Sequence, residues 1–285
     1  MAAKQGDMIM QPPVTRRQAV AALGVTSASI ISPASVFAAV TPEKIAALIP
    51  GASACILTPF AEEGPYYFDP NLERSDMTEG KPGIPLRILF QVIDAIGCAP
   101  ISGARADIWH ADAGGEYSGY ASQGDDRKTT AEGQTFLRGT QFTSSLGEAT
   151  FDTIYPGWYK GRTTHIHFKV FLDTKNVVTG QIYFPDALSE FIYTSVAPYN
   201  ARTTQRDTAN AADHVIEGSG GGHETFCNIK EDVDRYLASL IIGIDRNAEA
   251  ETTQGGSPPP GKPPTFTPGG TGTVPLDRSK LVPGA

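Results

Sequence analysis

The chain has 285 residues, of which 40% are hydrophobic and 19% charged, enough ordinary apolar content for a sizeable core and a length that does not demand two domains. With 31 acidic against 23 basic side chains the formal net charge is −8, so the chain lacks the basic excess that a nucleic-acid partner requires. The first segment reads as a targeting peptide. Thr15-Arg16-Arg17-Gln18 sets an arginine pair ahead of a mildly apolar stretch, 19–37, which is interrupted by Gly24, several serines and Pro33. Val36-Phe37-Ala38 then fits a small-x-small cleavage site after Ala38. These interruptions favour a removable twin-arginine-type export signal over a membrane anchor. Residues 1–38 are therefore set aside from the fold, a periplasmic or extracellular protein is expected, and no membrane span is expected after processing.

Residues 41–49, opened by Thr41-Pro42 and closed by Pro50-Gly51, predict a short helix. Residues 54–57 read as a short strand or an extended lead-in, and 62–70 as turns. Alternating apolar residues predict strands over 86–94, 104–110, 136–143, 149–153, 165–170 and 180–184. The polar stretch 119–135 reads as loop, 188–193 and 197–200 as short helical turns, and 218–222 as a flexible glycine run. Residues 236–245 suit a helix or a buried strand, and Ile241-Ile242-Gly243-Ile244 favours the strand. From 247 to 285 the chain is rich in Pro and Gly with few large apolar residues, so it is expected to be disordered. Short strands separated by turn signals predict an all-β sandwich core over 39–246, with long loops and short helical turns. Cys55, Cys98 and Cys227 leave three pairings open in an exported protein, and no C-x-x-C spacing suggests zinc.

The chemistry concentrates in residues 155–170. The strand His165-Ile166-His167-Phe168-Lys169-Val170 puts His165 and His167 on one face and Ile166 and Phe168 on the other. Two imidazoles so placed suit one metal ion, although H-x-H alone is equally a polar strand face with two surface histidines. Pro156-Gly157 turns the chain into Trp158-Tyr159, and Arg162 lies three residues before His165. A tyrosine, with a reference pKa of about 10, is an unusual ligand that a strongly Lewis-acidic ferric ion could hold as phenolate. A Tyr/His set therefore suggests Fe(III) rather than zinc.

P-G-x-Y followed by R-x-x-H-I-H resembles the iron-binding signature of the intradiol ring-cleavage dioxygenases, the family of catechol 1,2-dioxygenase and protocatechuate 3,4-dioxygenase. Upstream, Asp107-Ile108-Trp109-His110-Ala111-Asp112-Ala113-Gly114-Gly115-Glu116-Tyr117-Ser118 is similar to the family's W-H-A segment and offers Tyr117. Downstream, Thr179-Gly180-Gln181-Ile182-Tyr183-Phe184 is similar to its T-x-Q-[ILM]-x-F strand and offers Gln181. Glu63-Gly64-Pro65-Tyr66-Tyr67 resembles the G-P segment beside its substrate pocket. The motifs occur in the family's order across residues 55–245. The resemblance implies a β-sandwich carrying one mononuclear non-haem Fe(III) on Tyr117, Tyr159, His165 and His167. Tyr155 is the nearest competitor of Tyr159, but P-G-x-Y points to Tyr159, and with four ligands supplied no cysteine is needed.

By the same resemblance the substrates are a small aromatic catechol and O2, the ring opens between the two hydroxyl-bearing carbons, and the product is a cis,cis-muconate. Arg162, Gln181 and Tyr159 carry the catalytic roles: Arg162 as a permanent charge, Gln181 as a hydrogen-bonding side chain in the pocket, and Tyr159 as the tyrosine displaced by substrate that takes a proton. Pro65, Tyr66 and Arg162 line the substrate. His110 reads as structural, and His214 and His223 as solvated. The family's catechol dioxygenases also carry a helical N-terminal dimerisation domain, for which the lead-in before residue 54 is too short. The chain is closer to exported single-domain members that open with C-x-L-T-P…E-G-P-Y-Y, and monomer and dimer both stay open. Two rival classes are a cupin-like metal oxygenase, which would need a further His and usually a Glu, and a catalytically silent β-sandwich binding module, which would not need all four ligands. The ring substituents of the catechol are not legible.

Overall fold

A computed structural model of the chain describes residues 55–69 and 71–247. The expected export signal, the helix over 41–49 and the tail beyond residue 247 lie outside the described residues. Among the described residues the strands are β1 (Pro85–Asp94), β2 (Arg105–Trp109), β3 (Arg138–Phe142), β4 (Glu148–Ile154), β5 (His165–Leu172), β6 (Lys175–Tyr183), β7 (Asn228–Glu231) and β8 (Tyr236–Ile244). They form two four-stranded sheets, ordered β4-β1-β8-β7 and β3-β2-β5-β6. β1 and β8 run parallel, and the other pairs are antiparallel.

The alternation in the sequence sets which face meets which. Leu86, Ile88, Phe90 and Val92 of β1 share one buried core with Ala106 and Ile108 of β2 and with Ile166, Phe168 and Val170 of β5. Phe90 joins the sheets, its ring centroid 5.9 Å from that of Phe151 and 5.5 Å from that of Phe168. Each such buried aromatic contributes about 1.5–3 kcal/mol through burial. Gly180 makes room for this stack, because a Cβ there would lie 2.2 Å from the Phe168 ring. The result is an all-β sandwich with a shared core.

Several boundaries move. The strand expected at 136 begins at Arg138, because Leu137 takes a left-handed φ of 56° and turns its N–H to the Met77 carbonyl. β6 starts five residues earlier than expected because residues 175–179 pair with β5 and bury Val177 and Val178. The ambiguous stretch near 240 is a strand, held by a parallel register from Leu86↔Tyr236 to Asp94↔Ile244. β7 has no alternating apolar pattern and exists as an edge strand on β8. The expected turn at 188–193 is part of a longer helix, Asp186–Ser195. Among the described residues no helix is long and apolar enough to cross a membrane. Cys55 pairs with Cys98, and Cys227 is free and buried.

Candidate active site

The face of the β3-β2-β5-β6 sheet that points away from the shared core is also buried, and there the site is assembled. Strand register aligns Arg138 of β3, Trp109 of β2, His167 of β5 and Gln181 of β6 in one row across the sheet. The next row holds Thr140, Asp107, Lys169 and Thr179. Covering these rows is the segment from Ala61 to Phe68. Ala61 donates its N–H to the Thr179 carbonyl, and Gln181 Nε2 donates to the Glu62 carbonyl at 2.8 Å. Glu63 makes a buried ion pair with Lys169, and Tyr67 Oη donates to Asp107 Oδ2 at 2.9 Å. Gly64, at φ +72°, sits so close to His167 that a Cβ would approach its Cε1 to 3.2 Å. The glycine of the E-G-P sequence thus suits both a left-handed backbone and a close approach to an imidazole.

The four side chains singled out in the sequence converge. His165 Nε2 and His167 Nε2 are 3.0 Å apart, and Tyr117 Oη and Tyr159 Oη each lie 3.4 Å from His165 Nε2. Donors bound to one first-row ion at about 2.1 Å, and about 90–110° apart around it, stand roughly 3.0–3.4 Å from one another. The spacing therefore fits a single ion. The His165 tautomer fits too. Its Nδ1 lies 2.7 Å from the Thr163 carbonyl, which can only accept, so Nδ1 carries the proton and Nε2 presents its lone pair. His167 is held by its ring, stacked on Trp109 with centroids 4.8 Å apart and planes 8° from parallel. Among the described residues no three His, Cys, Asp or Glu side chains gather around one point, so a metal held by these two imidazoles would need the phenols as further protein donors.

Electrostatics select what the cluster can bind. Burial, aided by Arg162, holds His165 down to about 3, and burial with its neighbour His165 lowers His167 as well. Both rings are neutral and able to donate at ordinary pH. Burial pushes the Tyr117 phenol far above its usual range and Tyr159 up to about 12, with Arg162 opposing the rise at Tyr159. Either phenol becomes phenolate here only if a cation supplies the charge that burial denies. Two neutral imidazoles and two phenols that need a strong cation match a trivalent, oxygen-preferring metal such as Fe(III).

Around this cluster, Arg162 donates from Nη2 to Gln181 Oε1 and from Nη1 to Tyr159 Oη at 3.5 Å. Although burial opposes its charge, Tyr159 when ionised and the Asp213 carboxylate outweigh that effect and keep the guanidinium protonated. Tyr66 stacks on Tyr117, with centroids 4.4 Å apart, and meets Tyr159 edge-on at 6.1 Å. Pro65 is half-buried on the same loop, between Gly64 and Tyr66. Tyr155 is separate, bonded to Ser189 in the main core. His110 is separate as well: its ring spans the Ala111 carbonyl and Thr153 Oγ1 at 2.8 and 2.7 Å. His214 and His223 are exposed.

Two participants were not legible in the sequence. Asp213 Oδ2 accepts from Arg162 Nε at 2.9 Å and from the Thr163 N–H at 2.8 Å, while Oδ1 accepts from the N–H groups of Val215 and Ile216. It thus aims Arg162 and caps the short helix His214–Gly218, but it lies 51 residues from Arg162. Trp109 is visible in its motif, yet only strand register shows it against His167.

Comparison with known proteins agrees with this geometry. A dioxygenase family model matches residues 59–213. The solved structure of an intradiol ring-cleavage dioxygenase from Tetranychus urticae is 32% identical, aligning 69% of this chain with 98% of that one at a TM-score of 0.63. Chlorocatechol 1,2-dioxygenase of Rhodococcus opacus is 27% identical over 151 residues, 46% of this chain and 56% of that protein. The chain therefore spans little more than half the length of that curated relative. The family model spans strands β1 to β6 and every member of the Tyr/His cluster, and the chain belongs to the intradiol ring-cleavage dioxygenase family.

Proposed function

We propose that this protein is an exported, mononuclear Fe(III) dioxygenase that opens catecholic rings between the hydroxyl-bearing carbons. It combines catechol with O2 to give a cis,cis-muconate-type dicarboxylate, so both oxygen atoms end in the product. The observation that carries this reading is the convergence of Tyr117, Tyr159, His165 and His167 on one point with metal-type spacing. The metal, when bound, would chelate the two substrate oxygens and draw electron density from the ring, making it reactive toward O2.

The remaining roles fall to the chain. Tyr159 is half-buried, beside Arg162, and its Oη, as the phenolate that a bound metal would stabilise, is placed to take a substrate hydroxyl proton and become the neutral phenol. Arg162 cannot act as a base, so it offers fixed positive charge to the anion that develops on the ring and its oxygens. Gln181 holds the Arg162 fork from Oε1 and ties the Glu62 carbonyl from Nε2, fixing both walls of the site. Tyr66 and Pro65 would form the aromatic and apolar rim that orients the ring and excludes water.

The test is oxygen uptake with product identification across substituted catechols, together with metal analysis. Active protein holding zinc or no iron would overturn the ferric reading. A colourless iron protein would do the same, because tyrosinate-to-Fe(III) charge transfer gives a red-brown colour. Export is supported by the Arg16-Arg17 pair and by the Cys55–Cys98 bond, which suits an oxidising compartment. Replacing both arginines with lysine should leave precursor inside the cell, and unchanged export would exclude the twin-arginine route.

A further inference from the structure

Arg138 is 1% exposed and, among the described residues, pairs with no carboxylate. Burying a guanidinium costs several kcal/mol, ordinarily offset by an anionic partner. Here its hydrogen bonds converge on one residue. Nε donates to Ser118 Oγ at 2.8 Å and Nη2 donates to the Ser118 carbonyl at 2.8 Å, while the Ser118 hydroxyl donates onward to the Phe136 carbonyl at 2.7 Å. The guanidinium carbon lies 4.2 Å from the centroid of the Phe68 ring. Nη1 has no partner. A leucine or methionine would serve the start of β3 as well or better, so strand stability does not account for an arginine.

Ser118 directly follows Tyr117. On the other side of the tyrosine, its own N–H donates to Gln123 Oε1 at 2.9 Å. The loop carrying Tyr117 is thus pinned at the tyrosine itself and at the next residue, where the Arg138 fork supplies two side-chain bonds. Arg138 also belongs to the sheet row that holds Trp109 and His167, so the tyrosine loop and a histidine of the cluster are referenced to the same strands. We infer that Arg138, through its paired bonds to Ser118, is the positioning residue that holds the Tyr117 phenol in the Tyr/His cluster; its spectroscopic consequence rests on the metal reading above. Lysine cannot supply two parallel bonds from a planar fork, so retained charge alone should not suffice.

The experiment compares Arg138→Met, Arg138→Lys and Ser118→Ala with the wild type. Metal-free crystal structures should show Tyr117 Oη withdrawn from its 3.4 Å contact with His165 Nε2 in Arg138→Met and Arg138→Lys, with the Tyr159 contact kept. Ser118→Ala, which preserves the arginine and its bond to the backbone carbonyl, should show a smaller withdrawal. On iron-loaded protein the visible charge-transfer band should shift, and iron should be lost about 10–100-fold more readily. A purely structural role would lower Tm while leaving the band and both tyrosine contacts in place. If Arg138→Met does not fold, the other two variants carry the test. Tyr117 unmoved in the folded variants overturns the inference. Tyr117 displaced in a protein whose wild type takes no iron upholds the positioning role and overturns the ferric reading instead.

Discussion

Arg162 and Asp213 form the pair on which charge at the site depends. The guanidinium has no lone pair to offer a metal, so Arg162→Leu should keep iron and colour but lose about 10²–10³ in turnover, the usual loss for one well-placed electrostatic donor. Single-turnover oxygen kinetics on iron-replete variant would check this, and near-normal rates would reduce Arg162 to an ion-pair residue. Asp213→Asn replaces an acceptor with a donor facing N–H groups and leaves Arg162 buried without its anion. It should cost about 3–5 kcal/mol of stability and slow turnover with iron retained. Burial raises the Asp213 carboxyl, but Arg162 outweighs it and holds the group below the usual carboxylate range. A depressed folded-state pKa contributes stability that is complete above the unfolded value of about 4 and is lost as pH falls through the lower folded value. Urea unfolding across pH should therefore show the difference between wild type and Asp213→Asn shrinking below about pH 4.

At the scale of elements, β5 is buried on both faces, like its neighbours β2 and β6. Its alternation is plain in the sequence, with Ile166, Phe168 and Val170 on one side and His165, His167 and Lys169 on the other. What covers the second face is the segment around Gly64, latched by the Glu63–Lys169 pair. Gly64→Ala tests that contact. The left-handed backbone alone costs an alanine about 1–2 kcal/mol, and the new methyl must push the His167 ring. Equilibrium dialysis should show weakened iron binding in a protein that still folds. Unchanged affinity would mean that the ring has room to yield. The same contact explains why the segment reads only as turns in sequence: its order comes from a partner strand more than a hundred residues away.

For the whole molecule, the Cys55–Cys98 bond closes a loop across 43 residues and ties the start of the described chain beside β1. Just downstream, Thr58 N–H bonds the Gly243 carbonyl and Gly243 N–H bonds Thr58 Oγ1. A loop of this length corresponds to about 3–4 kcal/mol in the chain-entropy account. Cys98→Ser should lower the thermal midpoint clearly while leaving the iron spectrum unaltered, because Thr58 and Ala61 still anchor the segment to the sheets. A changed spectrum would show that the tether reaches the site.

Sequence alone determined the sandwich class, the position of its main strands and the residue types that can hold a metal. These depend on local periodicity, on turn residues and on short motifs, all of which lie within a few positions of one another. The tertiary structure decided what distance along the chain conceals. Strand pairing brought Arg138, Trp109, His167 and Gln181 into one row, and packing set Asp213 against Arg162 across 51 residues. It also chose Cys55 and Cys98 from three open pairings and turned residues 228–231, polar and without pattern, into an edge strand. Register and burial are properties of the assembled sheets, so no window of sequence contains them.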